Sequence, residues 1–397
     1  MVKPGYKQTE IGVIPENWSV KPLKEVAPLQ RGFDLPYSSI KAGKYPVVFS
    51  NGVGAFHSSY MVKGPGVITG RSGTIGKIHF VENNYWPHNT ALWVTDFHGN
   101  DPLYVYYLFK TVPWNLYNSG SGVPTLNRND VHDYLVAVPS ANEQTEIATI
   151  LADTDNLIDS LEKQLSKKKT IKQGAMQELL TGNKRLPGFS GEWQTFSFGA
   201  LFDFIPNNAF TRAQMADSGK VKNIHYGDIL TKYGAYVDGD SGAIPYITKE
   251  IDLARFAERC YLQSGDIIIA DTAEDEAVGK ALEVINVDCP ILAGQHTLLC
   301  RPKIKFAEKF LGYYLNAACY HDQLIPYIVG TKVSSVSKAS VAQTKLVVPE
   351  YEEQQTIAEI LSNMDAEIEA LQQKLEKYRQ LKQGMMQQLL TGKIRLV

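Results

Sequence analysis

Several features that would point to a particular chemistry are missing from this 397-residue chain. It has four cysteines, all in the second half and none in a Cys-x-x-Cys pair, which argues against a zinc site and predicts reduced thiols. No run of 18 apolar residues occurs, so no membrane span is predicted. The first residues have no apolar signal-peptide core, and we therefore expect a cytoplasmic protein.

Catalytic and nucleotide-binding motifs are also missing. The glycine-rich stretch 64–81 fails the phosphate-loop pattern, because five residues separate Gly70 from Gly76 and Lys77 is followed by isoleucine. Two strands joined by a tight turn are the better interpretation. No GxGxxG follows a strand, and no GxSxG or HExxH occurs. An acidic cluster could hold a metal ion, although most such clusters are solvated loops. It consists of Asp271, Glu274, Asp275 and Glu276.

The net charge of −2 does not by itself indicate that the protein binds nucleic acid. Residues 1–140 carry a net charge of +3 and five of the eight histidines, whereas residues 187–349 carry −3. A duplex-binding protein can still cluster its basic side chains on one face, which charge counts do not reveal.

What the chain does contain is one long stretch that occurs twice. Residues 138–186 and 348–396 align without a gap, 210 positions apart, and 24 of the 49 aligned positions are identical. Such a repeat sets the architecture as globular segment, long helix, globular segment, long helix. Because the globular segments also resemble each other weakly, the whole chain is interpreted as a tandem duplication.

Each copy of the repeat is predicted to form one long helix with an apolar seam. The seam follows a heptad over three heptads, which predicts a coiled coil, and the other copy is the nearest candidate partner. Two unrelated surface helices are the alternative. Thr154 and Lys168 are the imperfect positions. The seam residues are Ile357, Leu361, Met364, Ile368, Leu371, Leu375 and Tyr378 in the second copy, and Ile147, Leu151, Thr154, Ile158, Leu161, Leu165 and Lys168 in the first.

Both ends of the predicted helices carry boundary signals. Ser140 with Glu143 forms a capping-box pattern at the start of the first helix. Gly182 and Gly392 lie where helix-ending glycines belong. A helix of this length would be a rod of roughly 58 Å at about 1.5 Å per residue.

Within each globular segment, strands and short helices are mixed. This mixture predicts an α+β fold, and the alternation and glycine content favour a mostly antiparallel or mixed sheet. The predicted division is a globular domain over 1–138, a helix over 139–186, a second globular domain over 187–348 and a second helix over 349–397.

These residues resemble the specificity subunit of type I restriction–modification enzymes, the HsdS family. The resemblance covers essentially the whole chain, and the doubled helix makes it specific. The second globular segment lacks the motif at 31–36 and carries IHYGDI at 224–229 instead, which fits a family whose two target-recognition domains usually read different half-sites. The matching motifs are EQ…IA…IL at 143–151 and 353–361, KQGxMQxLLTG at 172–182 and 382–392, RGFDLP at 31–36, NGVGAFH at 51–57, GRSGTIG at 70–76 and SGVPTLNRNDV at 121–131.

The resemblance implies that each globular segment is a target-recognition domain that reads one half of a bipartite site in double-stranded DNA. The helices would pack antiparallel as a spacer, give the chain pseudo-twofold symmetry and dock two modification (methyltransferase) subunits. Restriction (motor–nuclease) subunits would complete the nuclease. The chain itself would carry no catalytic residue, metal or cofactor, and S-adenosylmethionine, ATP and Mg²⁺ would belong to the partner subunits.

Candidate base-reading residues lie in loops beside the family motifs, because reading bases needs Arg, Asn, Gln, Ser or Thr side chains in a groove. Each is about equally open to a structural role such as turn capping. Two other functions stay open: a DNA-binding remnant without enzyme partners, and a coiled-coil scaffold whose globular ends bind proteins. The candidates are Arg31, Asn51, His57, Arg71, Asn89, Thr125, Asn127 and Arg128 in the first domain, and Arg212, His225, Tyr226, Lys232, Lys332 and Ser334 in the second.

Overall fold

The computed structural model describes residues 2–119, 122–274, 277–330 and 333–396. The chain divides into two compact units. Unit 1 comprises Met1–Lys163 and Gln373–Val397, and unit 2 comprises Gln164–Gln372. Each unit therefore combines one globular segment with the start of the long helix that follows it and with the end of the other long helix. None of the described helices is long and apolar enough to cross a membrane.

Unit 1 is built on an antiparallel four-stranded sheet with the order β4-β10-β7-β8. In a smaller sheet, β5 pairs with β6 in antiparallel orientation and with β9 in parallel orientation. A separate antiparallel pair is formed by β3 and β11. The elements are β1 (Tyr6–Thr9), β2 (Gly12–Pro15), β3 (Ser19–Pro22), α1 (Leu23–Val26), β4 (Leu29–Arg31), β5 (Tyr45–Phe49), β6 (Gly52–His57), β7 (Gly66–Gly70), β8 (Ile78–Val81), β9 (Trp86–Pro87), β10 (Ala91–Val94), α2 (Pro102–Phe109), α3 (Arg128–His132), β11 (Leu135–Val138) and α4 (Ala141–Leu179).

Unit 2 repeats this plan with a larger sheet of order β13-β22-β18-β20-β16. A second sheet, β14-β17-β15-β21, and β12 paired with β24 complete the described strands together with β19 and β23. The elements are β12 (Gln194–Ser197), α5 (Phe198–Leu201), β13 (Phe202–Ile205), β14 (Met215–Ala216), β15 (Lys222–Ile224), α6 (Tyr226–Thr231), β16 (Tyr236–Asp238), β17 (Tyr246–Ile247), β18 (Ile267–Ala270), β19 (Thr272–Ala273), β20 (Ala281–Ile285), β21 (Ile291–Ala293), β22 (Thr297–Pro302), α7 (Phe310–Leu315), α8 (Ala318–His321), β23 (Ser334–Ser335), α9 (Lys338–Gln343), β24 (Lys345–Val348) and α10 (Tyr351–Leu389).

The predicted α+β class with mixed sheets is confirmed, and so is the duplication. The strands β4, β10, β7 and β8 of unit 1 correspond in order and pairing to β13, β22, β18 and β20 of unit 2. At the end of this sheet Gly70 pairs with Ala91 in unit 1, and Ala270 pairs with Thr297 in unit 2. These two pairs fix which residues of the two units are equivalent.

The two predicted long helices are present as α4 and α10, each of 39 residues. Within unit 1 they run antiparallel, because Asp155 is paired with Lys382 while Glu162, further along α4, is paired with the earlier Arg379 of α10. Within unit 2 the same arrangement pairs Lys168 with Glu367 and Lys172 with Asp365, each at 2.5 Å. The antiparallel packing is thus confirmed in each unit.

Most apolar positions of the seam are buried, as a coiled-coil pattern requires, whereas Leu165, Met364, Leu371 and Tyr378 are half-buried. Ile147 and Leu151 belong to the core of unit 1, and Ile357 and Leu361 to the core of unit 2. The imperfect position Lys168 is exposed, so its ammonium reaches the carboxylate of Glu367 instead of entering the seam.

At the start of α4 the predicted capping box is only half formed. The N–H of Glu143 donates to Ser140 Oγ at 3.4 Å, but the Glu143 carboxylate accepts instead from Trp18 Nε1 at 3.0 Å and from Arg395 Nε and Nη2, both at 2.9 Å. Glu143 is 2% exposed, so its carboxylate has to be neutralised and hydrogen-bonded inside the protein. The guanidinium and the buried indole do this better than the backbone N–H of a capping box, because charge-assisted hydrogen bonds are stronger. We call this group of three residues the first clamp.

The same construction recurs at the start of α10, where Glu353 is 1% exposed. Its carboxylate accepts from Trp193 Nε1 at 3.2 Å and from Arg185 Nε and Nη2 at 2.9 and 2.8 Å. We call this group the second clamp. In each unit the clamp therefore joins the start of one long helix to the segment that follows the other.

The two helix-ending glycines are confirmed. Gly182 and Gly392 have φ values of +71° and +68°, a region that glycine adopts without steric cost. A Cβ on Gly392 would also lie 2.4 Å from Pro15 Cδ, so this position tolerates no side chain without movement of the neighbouring strand.

Candidate DNA interface

In unit 1 the end of the central sheet is joined to two loops by backbone hydrogen bonds. The N–H groups of Arg71 and Ser72 donate to the Thr90 carbonyl at 2.9 and 3.1 Å, and the N–H of Leu126 donates to the Arg71 carbonyl at 2.8 Å. Gly70 permits the turn, because a Cβ there would lie 1.5 Å from the Thr74 carbonyl oxygen. We call this arrangement the sheet-end frame.

Three predicted residues of unit 1, Arg31, Arg71 and Asn89, are linked to one another at this frame. Asp34 forms a 2.7 Å ion pair with Arg31 and accepts a hydrogen bond from the Asn89 side chain. The Asn89 amide, followed by the Arg31 guanidinium, lowers the pKa of Asp34. Arg71 Nη1 donates to the Asn89 carbonyl at 3.3 Å. The Asp34 carboxylate therefore orients one guanidinium group and one amide at one edge of the sheet, and the Asn89 backbone carbonyl orients the second guanidinium beside them.

Three further predicted residues continue this edge. Thr125 forms an isolated bridge with Ser72, and Asn127 caps α3 by accepting from the Asn129 N–H at 3.1 Å. Arg128 is exposed and donates to the Leu29 carbonyl at 3.3 Å, on the strand that carries Arg31. The three residues are thereby joined to the same frame.

The remaining two predictions of unit 1 differ in their surroundings. Asn51 is exposed, and its carbonyl accepts from Lys77 Nζ at 3.0 Å. His57 is 6% exposed, its Nδ1 accepts from the Lys41 N–H at 3.0 Å, and its ring lies edge-on to Trp86 at 5.3 Å. These are the contacts of a packing residue, so His57 lies apart from the exposed candidates.

In unit 2 the same sheet-end frame is present with different side chains. The Asp271 N–H donates to the His296 carbonyl at 3.2 Å, and the Val336 N–H donates to the Asp271 carbonyl at 2.9 Å. Thr272 pairs with Ser335. Asp271, His296 and Val336 therefore occupy the places of Arg71, Thr90 and Leu126 in unit 1.

Three predicted residues of unit 2 lie together at the first turn of α6. Arg212 Nη1 donates to both carboxylate oxygens of the buried Asp228 at 3.0 Å. His225 caps the helix by accepting from the Gly227 N–H at 3.2 Å, and burial lowers the pKa of its ring. The Tyr226 ring contacts the His296 ring edge-on at 5.3 Å, which joins this turn to the frame.

The other predictions of unit 2 are less closely connected. Ser334 pairs with Ala273 in the β19–β23 ladder beside the frame. Lys232 lies at the other end of α6, where its ammonium binds the Ala243 carbonyl. Lys332 lies outside the described residues, as do Asp275 and Glu276 of the acidic cluster. Among the residues that are described, no group of three His, Cys, Asp or Glu side chains is placed to hold a metal ion.

Sequence reasoning missed several residues that the frame brings to the surface of unit 2. A cavity of about 390 Å³ opens beside Asp271, Thr272 and His296. The signal for some of them was present, because the 210-residue spacing of the repeat carries 125–128 onto 335–338. The residues not predicted to read bases are Asp271, which was named only in the acidic cluster, and Gln295, His296, Ser335, Ser337 and Lys338.

The chemistry of these edges suits recognition rather than bond making. Guanidinium, amide, hydroxyl, imidazole and carboxylate groups supply donors and acceptors in fixed directions, as the reading of base edges requires. Two copies of one frame with different side chains are compatible with a DNA-recognition protein.

Comparison with known proteins agrees with this class. Residues 15–172 and 190–378 match the family model described as "Type I restriction modification DNA specificity domain". The chain belongs to this family and is a specificity subunit of a type I restriction–modification system. The family model thus matches each half of the tandem duplication once.

Two curated relatives come from Methanocaldococcus jannaschii. The type I restriction enzyme MjaVIII specificity subunit is 25% identical over 315 residues, covering 75% of this chain and 71% of the relative. The putative type I restriction enzyme MjaX specificity subunit is 24% identical over 443 residues, covering 98% and 97%.

Two solved structures share the fold. The S subunit of a type I restriction–modification system from M. genitalium matches with a TM-score of 0.63 at 13% identity, covering 98% of each chain. A chain from a structural study of complex assembly and conformational transition in the type I system matches with a TM-score of 0.54 at 16% identity, covering 96% and 99%.

Proposed function

We propose that each unit reads one half of a bipartite site in double-stranded DNA through its sheet-end frame. The observation that carries this proposal is the repetition of the frame, with equivalent backbone hydrogen bonds from Arg71 and Asp271, under side chains that differ. A shared backbone with divergent side chains is what two distinct half-sites require. The target-recognition domains then span 1–138 and 187–348.

The two segments that contain the long helices, 139–186 and 349–397, act as the spacer between half-sites. Support comes from a cluster that attaches each globular domain to both helices. Asp155 of α4 accepts from the Tyr107 hydroxyl of α2 at 2.8 Å and binds Lys382 of α10. Asp365 accepts in the same way from the Tyr313 hydroxyl at 2.7 Å and binds Lys172. Because these contacts fix each domain to both helices, the length of the helices sets the number of base pairs between the two half-sites.

The same helices dock two modification (methyltransferase) subunits, one for each half of the duplicated chain. Their glutamine-rich ends support this assignment, because exposed amides without an apolar role suit a partner surface. Restriction subunits join this assembly, which we place in the cytoplasm. S-adenosylmethionine, ATP and Mg²⁺ are bound by the partner subunits, and this chain performs no catalytic step. The exposed glutamines are Gln173, Gln177, Gln383 and Gln387, and Gln388 beside them is half-buried.

Reconstitution tests the proposal. The full chain is co-expressed with the methyltransferase subunit of its host, and the mass of the complex and the methylated DNA motif are measured. We expect two methyltransferase subunits per chain and a motif of two defined halves separated by a fixed gap. DNA binding without a stable methyltransferase complex would favour the partner-free remnant, and absence of sequence-dependent DNA binding would favour the protein scaffold.

A further inference from the structure

The two sheet-end frames place residues of opposite charge at one equivalent position. Arg71 and Asp271 each follow the last residue pair of the central sheet, Gly70–Ala91 and Ala270–Thr297. The backbone N–H of each residue donates to the carbonyl of the residue just before β10 or β22. The backbone carbonyls of Arg71 and Asp271 in turn accept from the N–H of a buried residue just before the cap of α3 or α9. The backbone at this position is therefore the same, and only the side chain differs.

Both side chains lie against the equivalent loop. Arg71 Nη1 donates to the Asn89 carbonyl at 3.3 Å, in the loop before β10. Asp271 Oδ1 lies 3.9 Å from His296 Nδ1, in the loop before β22, and accepts from the Thr272 hydroxyl at 2.8 Å. The two functional groups thus both contact the loop before the equivalent strand.

These contacts use only part of the hydrogen-bonding capacity of the Arg71 guanidinium and the Asp271 carboxylate. A guanidinium has five N–H donors and a carboxylate about four lone-pair sites, so one or two bonds orient each group and leave capacity for a ligand. The Asp271 side chain is 25% exposed, and it lines the cavity of about 390 Å³. A base edge can therefore reach it.

We propose that this position determines one base in each half-site: Arg71 selects guanine and Asp271 selects cytosine. The inference rests on the proposed function. Guanine presents O6 and N7 as paired acceptors in the major groove, which a guanidinium matches with two donors. Cytosine presents its N4 amino group, which a carboxylate accepts, whereas the N7 lone pair of adenine repels a carboxylate placed against N6.

The same chemistry predicts how the selection changes. A glutamine or asparagine side chain donates to adenine N7 and accepts from adenine N6. Arg71→Gln therefore converts one guanine of the first half-site to adenine, and Asp271→Asn converts one cytosine of the second half-site to adenine. Each change leaves the other half-site as it was. A matched bidentate contact corresponds to roughly 5- to 150-fold discrimination between bases.

The test is selection of bound DNA from a randomised duplex library by the complex of the full chain with its methyltransferase subunits, followed by sequencing. Wild type, Arg71→Gln and Asp271→Asn are compared at equal salt. Arg71→Lys and Asp271→Glu keep the charge and should keep guanine and cytosine with weaker discrimination. Lys24→Gln and Asp203→Asn, in exposed ion pairs that make none of the hydrogen bonds of the frame, are controls that should leave both halves unchanged.

The outcomes separate this inference from the function on which it rests. A wild-type complex that selects no two-part motif overturns both. A two-part motif that neither Arg71→Gln nor Asp271→Asn alters overturns the inference alone, as does a change in the half-site read by the other unit. If a glutamine or asparagine variant fails to assemble, loss of guanine selection in Arg71→Lys, or of cytosine selection in Asp271→Glu, also overturns it.

Discussion

Removal of the Arg395 guanidinium should destabilise unit 1 strongly, although the residue lies near the end of the chain. In the first clamp, Arg395 supplies two of the three hydrogen bonds that the carboxylate of Glu143 accepts. Arg395→Ala leaves Glu143, 2% exposed, with the Trp18 indole as its remaining partner in the clamp. A buried charge without its counter-charge is the costly state, because desolvation is no longer offset.

The expected loss can be bounded from the geometry. Breaking a buried ion pair by removing one partner costs about 3–5 kcal/mol. The Arg395 side chain is 23% exposed, so water can partly replace it, and we expect about 2–4 kcal/mol. Replacing both partners, as in Glu143→Leu with Arg395→Met, should cost less than Arg395→Ala alone, because no buried charge is then left unpaired.

Native-state hydrogen exchange resolves the effect by unit. Arg395→Ala should accelerate exchange in 2–163 and 373–396 more than in 164–372. Arg379→Ala is the matched control, since its ion pair with Glu162 is about half exposed and should contribute roughly 0–1 kcal/mol. The reasoning fails if Arg395→Ala destabilises unit 1 no more than Arg379→Ala does.

Three further predictions follow from other contacts. Arg185→Ala in the second clamp should accelerate exchange in 164–372, and preferential loss in unit 1 would contradict the assignment of that clamp. Burial raises the pKa of Glu283 to about 7, above its value of about 4.3 in the unfolded chain. The folded protein therefore binds this proton more tightly than the unfolded chain does, and the resulting stabilisation is present at acid pH and is lost as the pH rises to about 7. The stability of wild type relative to Glu283→Gln should therefore fall by about 3 kcal/mol between these pH values, and a pH-independent difference would refute this. Four residues inserted in each long helix, after Lys163 and after Gln372, form a stutter and lengthen each helix by about 6 Å. The methylated motif should then gain one or two base pairs in the gap between its halves. An active variant with the original gap would show that the helices do not set the gap.

The long helices and the duplication could be predicted because their signals are local and repeated. Seam positions such as Ile357 and Leu361 recur with the helical period, and both are buried. The role of Glu143 could not be predicted from its neighbours. Its partners Trp18 and Arg395 are 125 and 252 positions away, and only the folded chain brings them to the start of α4.

The candidate site shows the same division. Arg31, Arg71 and Asn89 were chosen from loops beside motifs. The fold joins Arg31 to Asn89 through Asp34, a residue of the motif at 31–36 that was not itself chosen, and it joins Arg71 to the Asn89 backbone carbonyl. The equivalents of Arg71 and Thr90 in unit 2, Asp271 and His296, were not among the predicted base-reading residues, and Asp271 was named only in the acidic cluster. Insertions between the strands shift their spacing from the 210 residues of the repeat, and the pairing of β18 with β22 together with the backbone hydrogen bonds of the frame identifies them.

Exchange of one domain tests the central claim most directly. Residues 1–138 are replaced by the first target-recognition domain of another family member, and the motif methylated by the reconstituted complex is sequenced. We expect one half of the motif to change to that of the donor while the other half and the gap stay the same. A change in both halves, or in neither, would contradict independent reading of two half-sites by the two units.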